Sequence, residues 1–421
     1  MTDSIASMSE LDSIPRKSSA AILFSIYMCL EATSAAANVT GPTWRALFSL
    51  SNKQLGLCLG ASQAGIMIAS VFAGHVTQRR GPLRVLNASM IGVLLGLCLL
   101  GSAVSYQMLF LGLATIGLCA AALYNAGAVI FSGIFPFKMR RIMSFASALW
   151  FGSSLISAPL VGHWLEHASA AGWQAWSFRL PFLAMVALLA ACLVLVRLRL
   201  RWSDSFPWQT GTQDTDPAAP RSLRRERLWI PALGFCHGMM LIALLAWLNP
   251  MAQDVFGVSD FLGSLMLGMA ALGLAAGRLS LAAFHSRIRI DDRYLLAVSC
   301  SSGAVLLALA LMVPNYWLAL ALVGLGTFSS SASAPCLFSL VTERFPQSRS
   351  RLFGYMESTI AAAAISGSFL FGLLSDMGVP LRVAMGLSPL AALAMAAGAL
   401  IWKMRSTRPS VAAGPRLMAR D

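Results

Sequence analysis

The chain has 421 residues, of which 57% are hydrophobic and 11% are charged, and its formal net charge is +14. Soluble domains carry about 25% charged residues, so this composition excludes an ordinary soluble enzyme or binding module. The mean hydropathy of +0.71 and the apolar windows of roughly 20 residues along nearly the whole chain indicate a polytopic membrane protein.

Twelve apolar windows are long enough to cross a bilayer as helices, which predicts an all-α fold. Residues 1–18 form a polar tail without the features of a signal peptide. Residues 199–228, which are polar and rich in arginine, form a linker between two six-helix bundles at 19–198 and 229–403, and residues 404–421 form a second tail. The predicted spans are 19–40, 54–74, 83–104, 107–132, 141–162, 176–198, 229–250, 260–283, 293–313, 316–341, 352–375 and 380–403.

The two halves of the chain contain a repeat with an offset of about 208 residues. In each copy a proline near the end of one span is followed by phenylalanine, serine and then glycine at the start of the next span. Two similar membrane halves are typical of secondary transporters, which bind substrate between the halves. The matching residues are Pro42, Phe48, Ser51 and Gly56 in the first copy and Pro250, Phe256, Ser259 and Gly263 in the second.

Basic residues are concentrated in alternate loops, and this pattern predicts the orientation of the chain. Cytoplasmic loops retain arginine and lysine, so both termini are expected in the cytoplasm, and the protein in the plasma (inner) membrane. A net charge of +14 can also indicate nucleic acid binding, but here it is spread over short loops, so no nucleic acid partner is expected. The opposite loops hold only Arg45, Lys53, Arg179 and Arg382.

The eight cysteines lie almost entirely inside the predicted spans and show no CxxC pairing. We interpret them as small apolar residues in helix packing, and no disulfide is predicted. The segment Cys236-His237-Gly238-Met239-Met240 contains soft ligands suited to copper(I) or zinc. Because neighbouring helix positions point to different faces, we expect neither a metal site nor a cofactor.

The loop after the second span resembles a motif of the major facilitator superfamily. The residues from Gly74 to Arg84 read GHVTQRRGPLR, which is similar to the family pattern GxxxDRxGRR, with Gln78 in place of the acidic residue. The resemblance implies the major facilitator fold of two pseudo-symmetric six-helix bundles, and it implies gating roles for Gly74, Arg79 and Gly81. The alternative is that the arginines of this loop only keep it on the cytoplasmic side of the membrane and have no role in gating.

Two more degenerate sequence motifs resemble those of particular branches of the superfamily. Ala158-Pro159-Leu160-Val161-Gly162 is a degenerate form of a pattern common in exporters, whereas the segment from Gly41 to Gly56 is nearest to the fucose-permease-like branch of sugar and small-solute permeases. Import and export therefore both stay open at this stage.

Glu31 is the principal candidate for proton coupling. It lies about eleven residues into the first predicted span, near the membrane midplane, beside small residues. Ionisable side chains at that depth are costly and usually functional. The fucose-permease resemblance implies an acidic residue with this role in the first span. His237 could share the proton or bind substrate, and a structural pairing of Glu31 with a polar group such as His237 is the alternative.

Spans 1, 4, 7 and 10 line the central cavity in this superfamily, and their polar residues are the candidates for substrate binding. Asparagine amides can both donate and accept hydrogen bonds, which suits a hydroxylated or amide substrate. Interhelical hydrogen bonding and close packing are the alternatives, especially for the serines of span 10. The candidates are Asn38, Tyr124, Asn125, Asn249 and Thr327.

Arg278 and Glu357 are both placed near the cytoplasmic ends of their spans, where they could pair and close an inner gate or snorkel to the interface. No other basic residue lies deep in a predicted span. Strongly anionic substrates usually need a deep arginine or lysine, so we expect neutral or cationic cargo.

We find no nucleotide-binding motif and no catalytic motif, so the sequence predicts a carrier driven by an ion gradient and not an enzyme. The expected function is proton-coupled uptake of a small solute by a monomer in the bilayer. The alternatives are a proton-antiport exporter of drugs or metabolites and a transporter-like sensor that binds a ligand without moving it.

Overall fold

The structure is a computed structural model that describes residues 16–134, 139–200, 226–284, 290–345 and 349–406. Within these ranges twelve helices are long and apolar enough to span a membrane, which confirms the predicted number. The tails and the linker fall largely outside the described residues. The helices are α1 Arg16–Leu47, α2 Asn52–Arg80, α3 Pro82–Gly101, α4 Tyr106–Ile134, α5 Met139–Ala170, α6 Arg179–Arg199, α7 Trp229–Phe256, α8 Asp260–Phe284, α9 Asp292–Met312, α10 Tyr316–Arg344, α11 Arg349–Asp376 and α12 Leu387–Ser406.

Several helices extend past the predicted spans because polar residues end a hydropathy window without ending a helix. The start of α2 is set by a capping box at Ser51 and Gln54. The Ser51 hydroxyl accepts a hydrogen bond from the Gln54 backbone N–H at 3.2 Å, and the Gln54 side chain accepts one from the Ser51 N–H at 3.0 Å. These bonds satisfy backbone donors that the first helical turn leaves free.

Two helices of the second half are discontinuous near their middle. In α7, residues Gly238–Ile242 form one π-helical turn directly after His237. In α10, the helix is interrupted between Ser330 and Ser333, within the polar serine run. Such interruptions are frequent at functional sites, and in transporters they occur where helices line the substrate site.

The two six-helix halves meet along two helix pairs, α2 with α11 and α5 with α8. Small residues allow the close approach of these backbones. A Cβ atom added at Gly56 would overlap the Ser368 carbonyl oxygen, and one at Gly162 would overlap the side chain of Ser264.

Because twelve helices cross the bundle between residues 16 and 406, both ends of the described chain lie on one side, which we call the terminal side, and the opposite side is the distal side. Polar contacts join the two halves on the distal side. Arg45 forms a two-point ion pair with Asp254 at 2.5 and 2.7 Å, and the Asn249 amide donates to the Val39 carbonyl at 2.8 Å. The Asp376 carboxylate accepts hydrogen bonds from the first two backbone N–H groups of α2, at 2.9 and 2.8 Å. The distal side is therefore closed in this structure.

Candidate functional site

Glu31 lies at the midpoint of α1, facing α5. Its Oε2 accepts a hydrogen bond from the Trp150 indole Nε1, and its Oε1 accepts one from the Ser154 hydroxyl at 2.7 Å. Trp150 and Ser154 are four residues apart, so both side chains lie on one face of α5. The carboxylate is thus held by two donors inside the first half.

The two donors differ in whether they can also accept a hydrogen bond from Glu31 once it binds a proton. An indole N–H can only donate, whereas a serine hydroxyl can also accept. A proton on Oε1 can therefore be donated to Ser154 after its hydroxyl rotates, while Oε2 keeps its bond from Trp150. The site can hold either protonation state of Glu31 without moving a helix.

Aromatic rings from three helices surround this carboxylate. Trp150 stacks on Tyr124 of α4 with a centroid distance of 4.5 Å and an interplanar angle of 25°. Tyr27 of α1 meets Tyr124 edge to face at 5.2 Å, and its hydroxyl donates to the Tyr124 carbonyl at 3.1 Å. Trp150 and Tyr124 stay partly exposed although they lie in the middle of spanning helices.

Arg278 of α8 reaches across to the first half. Its guanidinium donates to the Ser147 hydroxyl and lies 4.6 Å from the centre of the Phe151 ring, both on α5. It also interacts electrostatically with Glu31 and with His237. Snorkelling to the interface was one of the two alternatives left open for Arg278, and in this conformation its side chain instead turns inward to bind α5.

Glu357 of α11 is half-buried and interacts electrostatically with Tyr124. In the described part of the chain it forms no ion pair with Arg278, so the anticipated pairing at an inner gate is not present in this conformation.

His237 is 4% exposed and lies where α7 becomes π-helical. Its Nδ1 is 3.0 Å from the Ser333 hydroxyl, and that hydroxyl donates to the Ser330 carbonyl at 2.7 Å. Since serine has one hydroxyl proton, this arrangement assigns a proton to Nδ1, which donates to Ser333. His237 thus connects the two interrupted helices, and no hydrogen bond joins it to Glu31.

The predicted substrate-binding residues fall into two groups. Asn38 and Asn125 are half-buried, and the Asn125 Oδ1 has no hydrogen-bond partner within the described residues, which leaves it available to a ligand. Asn249 and Thr327 are fully buried. Asn249 joins α7 to α1 on the distal side, and the Thr327 hydroxyl donates to the Val323 carbonyl of its own helix at 2.9 Å, so in this conformation both serve packing.

The predicted gating residues lie at the terminal end of α2. Gly74 faces the Asn125 amide, and Arg79 is exposed. Gly81 has φ = 83°, a backbone conformation that favours glycine, and it forms the turn into α3. No group of three or more His, Cys, Asp or Glu side chains in the described ranges is arranged to hold a metal ion.

The model of the Major Facilitator Superfamily matches residues 23–346. The chain belongs to this superfamily. No curated protein sequence matches this facilitator significantly.

Solved transporters share the fold of this facilitator at low sequence identity. A D-xylose-proton symporter is 14% identical with a TM-score of 0.73, and covers 90% of this chain and 96% of its own. A bacterial homologue of the human lysosomal transporter Spinster, inward-facing and occupied, is 16% identical with a TM-score of 0.69 over 93% and 97% of the two chains. The E. coli fucose:proton symporter is 16% identical with a TM-score of 0.65 over 91% and 98%.

Trp150, Ser154, Ser147 and Tyr27 were not among the sequence candidates. In an apolar span, an aromatic side chain that faces lipid and one that faces the bundle centre give the same hydropathy signal. The four-residue spacing of Trp150 and Ser154 is the one available hint, since it places two hydrogen-bond donors on one helical face.

Proposed function

We propose that this facilitator is a secondary active transporter that takes up a small neutral or cationic solute together with protons. The observation that carries the proposal is the Glu31 carboxylate, held at the centre of the bundle by Trp150 and Ser154. A half-buried carboxyl group suits repeated proton binding and release when one partner, Trp150, can only donate a hydrogen bond and the other, Ser154, can donate or accept one.

The balance of charge around the site supports the substrate class. Glu31 and Glu357 contribute two carboxyl groups, and Arg278 contributes one guanidinium. With both acids ionised the group carries one net negative charge, which favours a cation. With Glu31 protonated the group is neutral, which suits an uncharged solute. The rings of Tyr124 and Trp150 offer flat faces for a sugar ring or for an ammonium group, the latter through cation–π attraction.

The transport cycle that we propose is alternating access. Arginine and lysine favour the cytoplasmic side, which would place the terminal side inside the cell, and the closed distal side would then shut the site off from the outside in this conformation. Opening to the outside requires breaking the Arg45–Asp254 ion pair and the Asp376 contacts with α2.

Reconstitution into liposomes with a pH-sensitive dye in the lumen tests this proposal. Pooled sugars, amines and amino acids are added under an imposed proton gradient, and proton entry is recorded for the wild type, for Glu31→Gln and for Glu166→Gln. Glu166 is an exposed residue of α5 outside the site, so its substitution is the matched control. We expect proton entry that depends on solute, is lost in Glu31→Gln and persists in Glu166→Gln.

Three other outcomes would contradict the proposal in different ways. Solute movement without proton entry would indicate another coupling ion or none. Proton entry driven by solute leaving the vesicle would indicate an exporter. Ligand binding without any movement would indicate a sensor.

A further inference from the structure

An open groove of about 540 Å³ lies on the outer surface of the first half, between the distal ends of α3 and α6. Cys98, Val104, Trp176, Arg179 and Leu183 are among the residues that line it. None of its lining residues contacts Glu31, whose carboxylate is held by Trp150 and Ser154 of α5.

The groove is apolar along the helices and cationic at the membrane boundary. Val104 is 70% exposed and Cys98 is also exposed. Arg179 is the first residue of α6, and its guanidinium lies 5.8 Å from the centre of the Trp176 ring and 5.4 Å from that of Phe178. A positive charge above an apolar channel matches the shape and charge of an anionic lipid.

Arg179 is held in place without being neutralised. It donates one hydrogen bond to the Ala103 carbonyl at 3.1 Å, and within the described residues no carboxylate forms an ion pair with it. The neighbouring Trp173 and Trp176 are more than half exposed, as expected for tryptophans at a membrane–water interface. These rings place the guanidinium at the depth of lipid headgroups.

We propose that this groove binds an acidic phospholipid of the distal leaflet, with the headgroup phosphate on Arg179 and the upper part of an acyl chain along Cys98 and Leu183. A zwitterionic lipid carries a second, positive group that Arg179 repels, so an acidic lipid is preferred. We expect this single basic side chain to give a preference of about fivefold for the acidic lipid.

Cys98 provides a reporter inside the groove. The purified protein in detergent is supplied with phosphatidylglycerol or with phosphatidylcholine of the same acyl chains, and maleimide labelling of Cys98 is followed by mass spectrometry of its peptide. We expect phosphatidylglycerol to slow Cys98 labelling about fivefold more than phosphatidylcholine. Arg179→Gln should abolish this difference, and Arg179→Lys should retain part of it.

Arg382→Gln is the matched control, because Arg382 also lies on the distal side against an aromatic ring, 4.7 Å from the centre of Phe256, and does not line the groove. This variant should keep the full lipid preference. Native mass spectrometry of the wild type counts retained phosphatidylglycerol in parallel, which keeps the test valid if Arg179→Gln does not fold.

Several results would overturn the proposal. Equal protection of Cys98 by both lipids, or a preference that survives Arg179→Gln, would show that the guanidinium does not select the lipid. Protection by glycerol 3-phosphate alone would indicate a site for a free phosphate ester. Protection that rises with protein concentration and not with lipid would indicate that a second copy covers the groove.

Discussion

Trp150 performs two tasks with different parts of one side chain. Its indole N–H donates to Glu31, and its ring stacks on Tyr124. A solute that rests against these rings would therefore be in contact with the group that holds the carboxylate. Under the proposed function, this arrangement would connect cargo and proton through a single residue.

Trp150→Phe separates the two tasks, because phenylalanine keeps an aromatic face and removes the donor. Hydrogen bonds to charged groups contribute about 1.5–3 kcal/mol, so we expect solute-driven proton flux to fall about tenfold or more. Trp164→Phe is the control, since Trp164 lies on the same helix and its indole donates to the Ser177 carbonyl at 2.7 Å. Equal losses in the two variants would assign the effect to helix packing and not to Glu31.

Asp291, just before α9, is a second carboxylate held by specific partners, and it lies outside the spanning segments. Hydrogen bonds from Arg293, at 2.9 Å to the guanidinium, lower the pKa of Asp291 from 3.8 to about 2, with Lys403 at 3.7 Å adding to the effect. Because the pKa of Asp291 is lower in the folded state than in the unfolded state, its ionised form stabilises the fold at pH values above the unfolded-state pKa. This stabilisation is lost as the pH falls through the folded-state pKa.

Asp291→Asn keeps an oxygen that can cap α9 and removes the charge. The pair is partly exposed, so its contribution is about 1 kcal/mol or less. We expect a lower Tm for Asp291→Asn at pH 7 and a difference from the wild type that shrinks between about pH 4 and pH 2. Thermal unfolding in detergent at several pH values measures this, and a difference that stays constant down to pH 2 would contradict the assigned charge effect.

At the scale of helices, the two crossing pairs depend on residues without side chains. Gly56 of α2 lies against the Ser368 carbonyl of α11, where a Cβ atom has no room, whereas a Cβ atom at Gly152 of α5 would meet nothing within 4 Å. The same Gly→Ala change should therefore disturb the helix pair at Gly56 and leave the structure unchanged at Gly152.

Gly56→Ala should push α2 away from α11 and shift the protein toward a state that is open on the distal side, since overpacking costs about 1–3 kcal/mol. Spin labels at Lys53 and Met377, in a cysteine-free background, report the separation of the two helix ends. We expect a longer distance in Gly56→Ala and an unchanged distance in Gly152→Ala. An unchanged distance in both variants would show that the α2–α11 contact does not control distal closure.

At the scale of the whole molecule, the orientation in the membrane is the property on which the proposed direction of transport depends. Positive residues follow the second, fourth, sixth, eighth and tenth spans and occur in the tail after the twelfth. If these loops are cytoplasmic, the closed distal side faces outward.

Single cysteines at Val104 and Gln78 in a cysteine-free background test this orientation. Val104 lies in the distal turn after α3, and Gln78 is exposed at the terminal end of α2. An impermeant maleimide applied to intact cells should label the cysteine at position 104 and leave that at position 78 unlabelled until the cells are opened. The reverse pattern would invert the proposed topology.

The twelve spans and the two-half plan were determined by the sequence alone, because the bilayer requires long apolar segments whatever their packing. The family followed from the residues between Gly74 and Arg84 and agrees with the match to residues 23–346. Glu31 could be selected because an acidic residue deep in an apolar span is costly. Its role in transport remains a prediction.

Only the tertiary structure decided which side chains meet. The contacts of Trp150 and Ser154 with Glu31, and of Arg278 with Ser147, join residues 119, 123 and 131 positions apart, and no local pattern encodes such pairings. The direction of the Arg278 side chain illustrates the reason. From its position in α8, the side chain could point either toward the bundle centre or toward the membrane interface. It points inward because the Ser147 hydroxyl and the Phe151 ring of α5, a helix of the other half, bind the guanidinium.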